Sequence, residues 1–363
     1  MAAEVTEQQL GRVRWLVVRG SAREAFTGLG ETLRAEIQDV TANWPELAQL
    51  RAHVRHPPGR KLLGIVRHAS RTRLPRVWTE LDALATGAGV DAGDLALMNF
   101  RGDLGVIEGA ANTGIGCSDL SWRRQRSLIA HNEDESSFFE DRCLLLTLLL
   151  DGAQPVTAYC KPGFLPSTAF TVTGSGLAWS IDHMQAMTPG QGAGRHFVAR
   201  GLQLNATSID QAIDYLVRNP SAGGYAYTIG DLAGRIVTVE SSAEQVAWRE
   251  AGEHAPLGWH TNHGRYVTGA QAQRGGTSQQ RAEVLDRLEI PAQEPTTEWF
   301  LRVLTGAEPP GGVRAEPHEG STAMTLCTFV ADLTSGVATI ASRGAEPVTL
   351  PLTDLARGAS RAA

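Results

Sequence analysis

The hydrophobic period of the chain changes at residue 117. Before it, apolar residues recur at helical steps. Phe26, Leu29, Leu33, Ile37, Val40 and Trp44, three or four residues apart, predict one long amphipathic helix ending before Pro45. "SARE", Ser21 to Glu24, is a capping box at its start, and "RVRWLVVRGS" ahead of it reads as an opening strand. "PRVWTELDALATG" predicts another helix, with Pro75 at its start and Gly87 past its end. From residue 117 the texture is β-rich. "SLIAHNEDE", "CLLLTLLLDGAQPVTAYCKPG", "AFTVTGSGLAWSID" and "GYAYTIGDLAGRIVTVESS" are short runs broken by Asp-Gly and Gly-rich turns, several of them hairpins. Helices return at "SIDQAIDYLVRN", "SQQRAEVLDRL" and "TEWFLRVL", and "TLCTFVADLTSGVATIASRG" closes with strand, turn and strand. Residues 269–277, "GAQAQRGGT", read as a loop. Strands grouped together, with helices grouped around them, predict an α+β layered fold without βαβ alternation.

Length and charge narrow the function. The 363 residues, 42% hydrophobic, suffice for a large core in a single domain, 1–363. A net charge of −6 and no Lys/Arg run longer than "RR" argue against a nucleic-acid or anionic-membrane partner. The polar start "MAAEVTEQQLGRVRW" does not read as a secretory signal, and "CLLLTLLL" is too short to span a bilayer. Cys117, Cys143, Cys160 and Cys327 form no C-x-x-C pair and no zinc spacing, so a reducing, cytoplasmic setting is expected. The last three lie in apolar strands and read as core.

The chemistry-bearing pieces are "GIGCSD" (114–119), "HNEDE" (131–135), "WHTNHG" (259–264) and "SQQR" (278–281). With "RGSAREAFTGLGETLRAEI" and "GSGLAWSID", their types and order resemble the penicillin acyltransferase family, whose members include isopenicillin-N acyltransferase. The likeness runs from about residue 15 to about residue 350. The resemblance implies a four-layer αββα sandwich of the N-terminal-nucleophile hydrolase kind, made as an inactive precursor. It implies a cut between Gly116 and Cys117, giving fragments 1–116 and 117–363 that stay associated. Carried over residue by residue, Cys117 becomes the nucleophile and Asp134 supports the new terminus. Asn262 supplies an oxyanion-hole amide, and Arg281 resembles the arginine that holds the aspartate.

Physical chemistry gives these residues the same sense. A mid-chain thiol, with a pKa of about 8.5, needs a separate base, whereas an N-terminal cysteine carries an α-amine with a pKa of about 7.7–8. Gly116, lacking a side chain, lets the thiol approach its carbonyl. Alternation in "LIAHNEDE" puts Asn132 and Asp134 on one strand face and His131, Glu133 and Glu135 on the other. Each residue also has a plainer reading. Cys117 can be a small core residue, Asp134 a solvated charge, Asn262 a turn residue, Arg281 an exposed helix residue. His131 acting as base for an uncut Cys117 is the mechanistic alternative. His260 and His263, three apart without helical periodicity or a third ligand, predict no metal site.

The family's G-x-S-x-G element for acyl-CoA chemistry reads "GGTSQQ" here, with Gln280 at the second glycine, which speaks against CoA-dependent transfer. The expected activity is hydrolysis of a small N-acyl or aminoacyl amide without a cofactor; the alternative is acyl transfer to an amine. Glu133 and Glu135 are candidate substrate-binding residues, forming an acidic pocket wall suited to a cationic substrate, unless both face solvent.

Overall fold

The computed structural model describes residues 3–104, 116–184, 192–268, 276–307 and 311–359. Two strands open the chain, β1 (Glu4–Leu10) and β2 (Val13–Gly20). Six helices follow: α1 (Ala22–Thr32), α2 (Arg34–Asn43), α3 (Pro45–Arg55), α4 (Pro57–Arg73), α5 (Pro75–Ala88) and α6 (Ala92–Asn99). After residue 117 come β3 (Ser118–Arg123), β4 (Ser127–Ser136), β5 (Leu144–Leu150), β6 (Val156–Cys160), β7 (Thr171–Thr173) and β8 (Leu177–Met184). Next are α7 (Arg195–Asn205), α8 (Ile209–Arg218), β9 (Gly224–Asp231), β10 (Ile236–Ser241), β11 (Val246–Glu250) and β12 (Leu257–His260). The chain ends with α9 (Gly276–Asp286), α10 (Thr297–Leu304), β13 (Ala323–Asp332), β14 (Val337–Ser342), β15 (Val348–Pro351) and α11 (Leu352–Arg357).

The strands make two sheets. One has the order β1-β2-β5-β6-β7-β8-β9-β10-β11, the other β12-β3-β4-β13-β14-β15. Pairing is antiparallel except between β2 and β5. Facing apolar side chains join the sheets: Trp15, Leu145, Tyr159 and Phe170 from the first meet Ile129, Phe329 and Ile340 from the second. Phe170 stacks on Phe329 with ring centroids 4.1 Å apart. Leu16, Val18, Leu146 and Trp179 on the first sheet's outer face pack against Phe26, Leu29, Leu81 and Leu202 of the helices. Leu120, Trp122, Leu128 and Val330 on the second sheet's outer face pack against Leu285, Phe300 and Leu304 of α9 and α10. Helix, sheet, sheet and helix therefore stack as four layers, as expected of an αββα sandwich with an N-terminal helical segment.

Three local expectations need correction. The long helix before Pro45 is two, broken at Leu33 (φ −96°, ψ 18°). Gly87 lies inside α5, which stops at Gly89 in the left-handed conformation. A β-carbon on Gly87 would lie 2.0 Å from the Thr27 carbonyl oxygen, and one on Gly30 would lie 2.3 Å from that of Leu84. These glycines mark a close crossing of α1 and α5, not a helix end. Residues 276 and 277 begin α9 rather than ending a loop; the rest of 269–277, like 112–115 ahead of Gly116, falls outside the described residues. Among the described residues no helix is long and apolar enough to cross a membrane.

Candidate active site

Strand parity decides which side chains meet between the sheets. Leu120 and Trp122 face the α9/α10 layer, so Asp119 and, one step earlier, Cys117 face inward. On β4, Ile129 faces inward, which places His131, Glu133 and Glu135 with it and turns Asn132 and Asp134 outward. Asp182 on β8 and Glu240 on β10 enter from the other sheet. The apolar space between the sheets thus gives way to a buried ionic one at the end that holds Cys117.

There Cys117 Sγ donates to Glu133 Oε2 at 3.6 Å. His131 Nε2 lies 3.3 Å from the same oxygen, and its Nδ1 lies 2.8 Å from Asp119 Oδ1. Ser180 donates to Asp119 Oδ2 at 2.8 Å. Asp182 Oδ2 is 2.9 Å from His260 Nδ1, whose Nε2 is 3.1 Å from Glu240 Oε1. Glu240 in turn accepts the backbone N–H groups of Arg265, Tyr266 and Val267 at 2.6–2.9 Å. Carboxylates and imidazoles therefore run from the thiol to the loop that follows Asn262.

Burial, reinforced by the Glu133 charge, pushes the Cys117 thiol up to about 12. For His131 burial acts to remove the proton, but Asp119, Cys117 and Glu133 outweigh it and carry the imidazole well above its ordinary range. Asp119 and Glu133, at its two ring nitrogens, favour the charged imidazole, so His131 is poorly placed to accept the thiol proton. Asp182 is raised to about 6, mainly by burial and then by Asp119. His260 reaches about 9 despite burial, through Asp182 and Glu240.

Neither Glu133 nor Glu135 faces solvent; both are buried. Lys161 Nζ lies 2.5 Å from Glu135 Oε2 and 3.3 Å from Glu133 Oε1, and Arg101 Nη2 lies 2.5 Å from Glu135 Oε2. Burial alone would raise the Glu135 carboxyl, yet the Arg101 and Lys161 charges hold it well below the usual carboxylate range. Its charge is matched within the protein, so an uncompensated acidic wall made of both glutamates is not what the chain builds.

The outward side of β3 and β4 carries the second half of the site. Arg281, on α9, is buried instead of exposed. Its Nη1 donates to the Cys117 carbonyl oxygen and, at 2.8 Å, to Ser118 Oγ, and its Nη2 donates to Asn262 Oδ1 at 2.6 Å. Asn262 Nδ2 donates to the His183 carbonyl at 2.7 Å. Asn262 and Arg281 close on Gly116, where a β-carbon would come within 2.1 Å of Asn262 Oδ1. The expected grip of Arg281 on Asp134 is absent as an ion pair, because both guanidinium ends are spent on Cys117, Ser118 and Asn262. Its charge still opposes the burial that raises Asp134 to about 7. Thr325 donates to Asp134 Oδ1 at 2.6 Å, and Asp134 Oδ2 has no hydrogen-bond partner among the described residues. A β-bulge between Thr325 and Cys327 lies opposite Asp134 and Glu133, where such irregularities re-aim side chains.

Sequence reasoning assigns no role to several of these residues. Asp119, two residues past Cys117, is open to the same parity argument as Glu133. Asp182 ends the quoted "GLAWSID". Ser278, in the "GGTSQQ" stretch, supports the site's backbone, since its Oγ accepts the Asn262 N–H at 2.9 Å and lies 2.9 Å from His263 Nδ1. His260 and His263 serve different partners and do not converge on one ion. Cys117, His131 and Asp182 do offer one ligand atom each within 4.8 Å of one another, a set able to hold a metal ion. There, however, both His131 nitrogens already face carboxylates.

The sequence profile described as "Acyl-coenzyme A:6-aminopenicillanic acid acyl-transferase" matches residues 122–346, which include Asp134, Asn262 and Arg281 but begin after Cys117. No curated protein matches significantly. Among solved structures, a conjugated bile acid hydrolase variant from Clostridium perfringens is 12% identical, with a TM-score of 0.39 over 67% of this chain and 95% of that one. A penicillin V acylase from Agrobacterium tumefaciens is 12% identical, with a TM-score of 0.38 over 66% of this chain and 87% of that one.

Proposed function

Because the chain belongs to the acyl-coenzyme A:6-aminopenicillanic acid acyl-transferase family, we propose that it is a self-processing cysteine amidohydrolase acting on a small N-acyl or aminoacyl amide. One observation carries this reading: Asn262 and Arg281 close on Gly116 while Arg281 also holds the Cys117 carbonyl, so the pair flanks the Gly116–Cys117 bond. Breakage of that bond frees the α-amine of Cys117, which takes the thiol proton and later protonates the leaving amine. The thiolate attacks the substrate carbonyl, a thioester forms, and water releases the acid. Asn262 stabilises the tetrahedral oxyanion. Asp134 supports the new ammonium; a buried carboxylate oxygen left without a partner is costly, and a cation that arises only on cleavage would supply one.

The neutral thiol beside a cationic His131 favours the amine as base over an uncut Cys117–His131 pair. Gln280 in place of the second glycine of G-x-S-x-G, and the use of Ser278 to hold the Asn262 backbone, favour hydrolysis over CoA-dependent transfer. A panel of small N-acyl amides tests the reading. Release of acid and amine, with an acyl adduct on the fragment beginning at Cys117 and neither in Cys117→Ala, is the expected result. Turnover by Cys117→Ala would contradict it.

A further inference from the structure

We infer that Glu133 is the base that starts the self-cleavage, a role separate from that of the α-amine in turnover. The inference rests on the self-cleavage reading above and addresses a step that reading leaves without a base. Before the chain breaks, the nitrogen of Cys117 is an amide and has no basic lone pair. Another group must take the first proton from sulfur, and Cys117 Sγ already donates to Glu133 Oε2 at 3.6 Å.

The neighbours exclude themselves. His131 is held cationic and lies between Asp119 and that same glutamate oxygen. Asp182 also lies within 4.8 Å of the sulfur, but only its Oδ2 is hydrogen-bonded, to His260, its Oδ1 has no hydrogen-bond partner among the described residues, and the hydrogen bond from Sγ runs to Glu133 instead. Lys161, 3.3 Å from Glu133 Oε1, occupies the other carboxylate oxygen and leaves Oε2 presented to sulfur.

The step balances without a co-reactant other than water. Glu133 Oε2 takes the Sγ proton as the Sγ–C bond to the Gly116 carbonyl forms. The Gly116–Cys117 C–N bond then breaks, and the departing nitrogen receives that proton back from the Glu133 carboxylic acid. Water hydrolyses the thioester, its hydroxyl going to the Gly116 acyl carbon and its hydrogen to sulfur. Because burial pushes the thiol up to about 12, a free thiolate is disfavoured and removal of the proton must accompany the attack, as in general-base catalysis.

Glu133→Gln in the full chain tests the inference, with intact mass read over time. N-terminal cysteine is counted by condensation with 2-cyanobenzothiazole, and turnover is expressed per exposed terminus. With the melting transition retained, self-cleavage should slow by about 10²–10⁴-fold, while turnover per terminus should fall by less than about tenfold. Cleavage at the wild-type rate overturns the inference, and so does a loss in turnover as large as the loss in cleavage. Should Glu133→Gln not fold, Glu133→Asp decides: at least about tenfold slower cleavage supports the role, and an unchanged rate contradicts it. A wild-type chain that never breaks would instead sink the underlying reading, and this inference with it.

Discussion

Asn262 Oδ1 stands 2.1 Å from the point that a β-carbon on Gly116 would occupy, and Arg281 Nη2 stands 2.9 Å from it. Asn262 cannot swing aside freely, because Arg281 and the His183 carbonyl hold both ends of its amide. Gly116→Ala should therefore displace a buried network, at a cost of about 1–3 kcal/mol by overpacking. We expect self-cleavage slower by about tenfold, since a rise of about 1.4 kcal/mol in the cleavage barrier is already tenfold. A time course of intact mass beside a thermal melt checks this, and wild-type cleavage kinetics would show that the close approach is idle.

Asn262→Ala removes the amide assigned to the oxyanion. Turnover per exposed Cys117 terminus should fall by about 10²–10³-fold. The loss should appear in kcat more than in KM, because the oxyanion exists only in the transition state. A change confined to KM would return Asn262 to a binding or structural role.

Asp134 predicts a pH signature in the uncut chain. Burial, partly opposed by Arg281, raises its carboxyl from 3.8 to about 7 in the folded protein. Below the unfolded value both states keep the proton. From about pH 4 to about pH 7 only the unfolded state releases it, so the folded state loses ground as pH rises, then levels off. In a Cys117→Ala background, adding Asp134→Asn should give a relative stabilisation that grows across that window by at most a few kcal/mol. Denaturant titrations at pH 4, 5.5, 7 and 8 measure it, and a pH-independent difference would contradict it.

His260 predicts the opposite slope. Burial disfavours its charge, yet Asp182 and Glu240 raise it from 6.5 to about 9. The stability it contributes is complete below about 6.5 and is lost as pH rises through about 9. His260→Gln removes the cation held between Asp182 and Glu240 and should cost about 3–5 kcal/mol at pH 6, as for a broken buried ion pair. The gap between wild type and variant should shrink toward pH 9; a constant gap would mean that His260 is neutral in the fold.

How much is legible in the sequence depends on whether the determining interaction is local. The Ser21 cap, whose hydroxyl accepts the Glu24 N–H at 3.4 Å, and the alternation of β4 are fixed within a few residues and are readable. Gly87 reads wrongly as a helix end because its reason lies across space, in the Thr27 carbonyl. The split at Leu33 is not encoded by a single hydrophobic stripe, whereas α3 and α4, each starting on a proline after an extended residue, carry a local start signal. The edge strand β1 is mostly exposed and polar, so it carries no strand signal.

The site divides along the same line. Parity alone separates His131, Glu133 and Glu135 from Asn132 and Asp134. It cannot say that Lys161, just after β6, and Arg101, after α6, neutralise Glu135, because those partners are distant in sequence. Nor can it say that Arg281 spends its guanidinium on Cys117 and Asn262 instead of pairing with Asp134.

On the proposed mechanism, the working enzyme begins its second chain at Cys117. Intact mass of purified protein, wild type beside Cys117→Ala and paired with a turnover assay, tests it most directly. The active wild type should give two fragments meeting at Gly116 and Cys117, and the variant one uncut, inactive chain. Full turnover by a wild-type protein whose mass is that of a single continuous chain would contradict it.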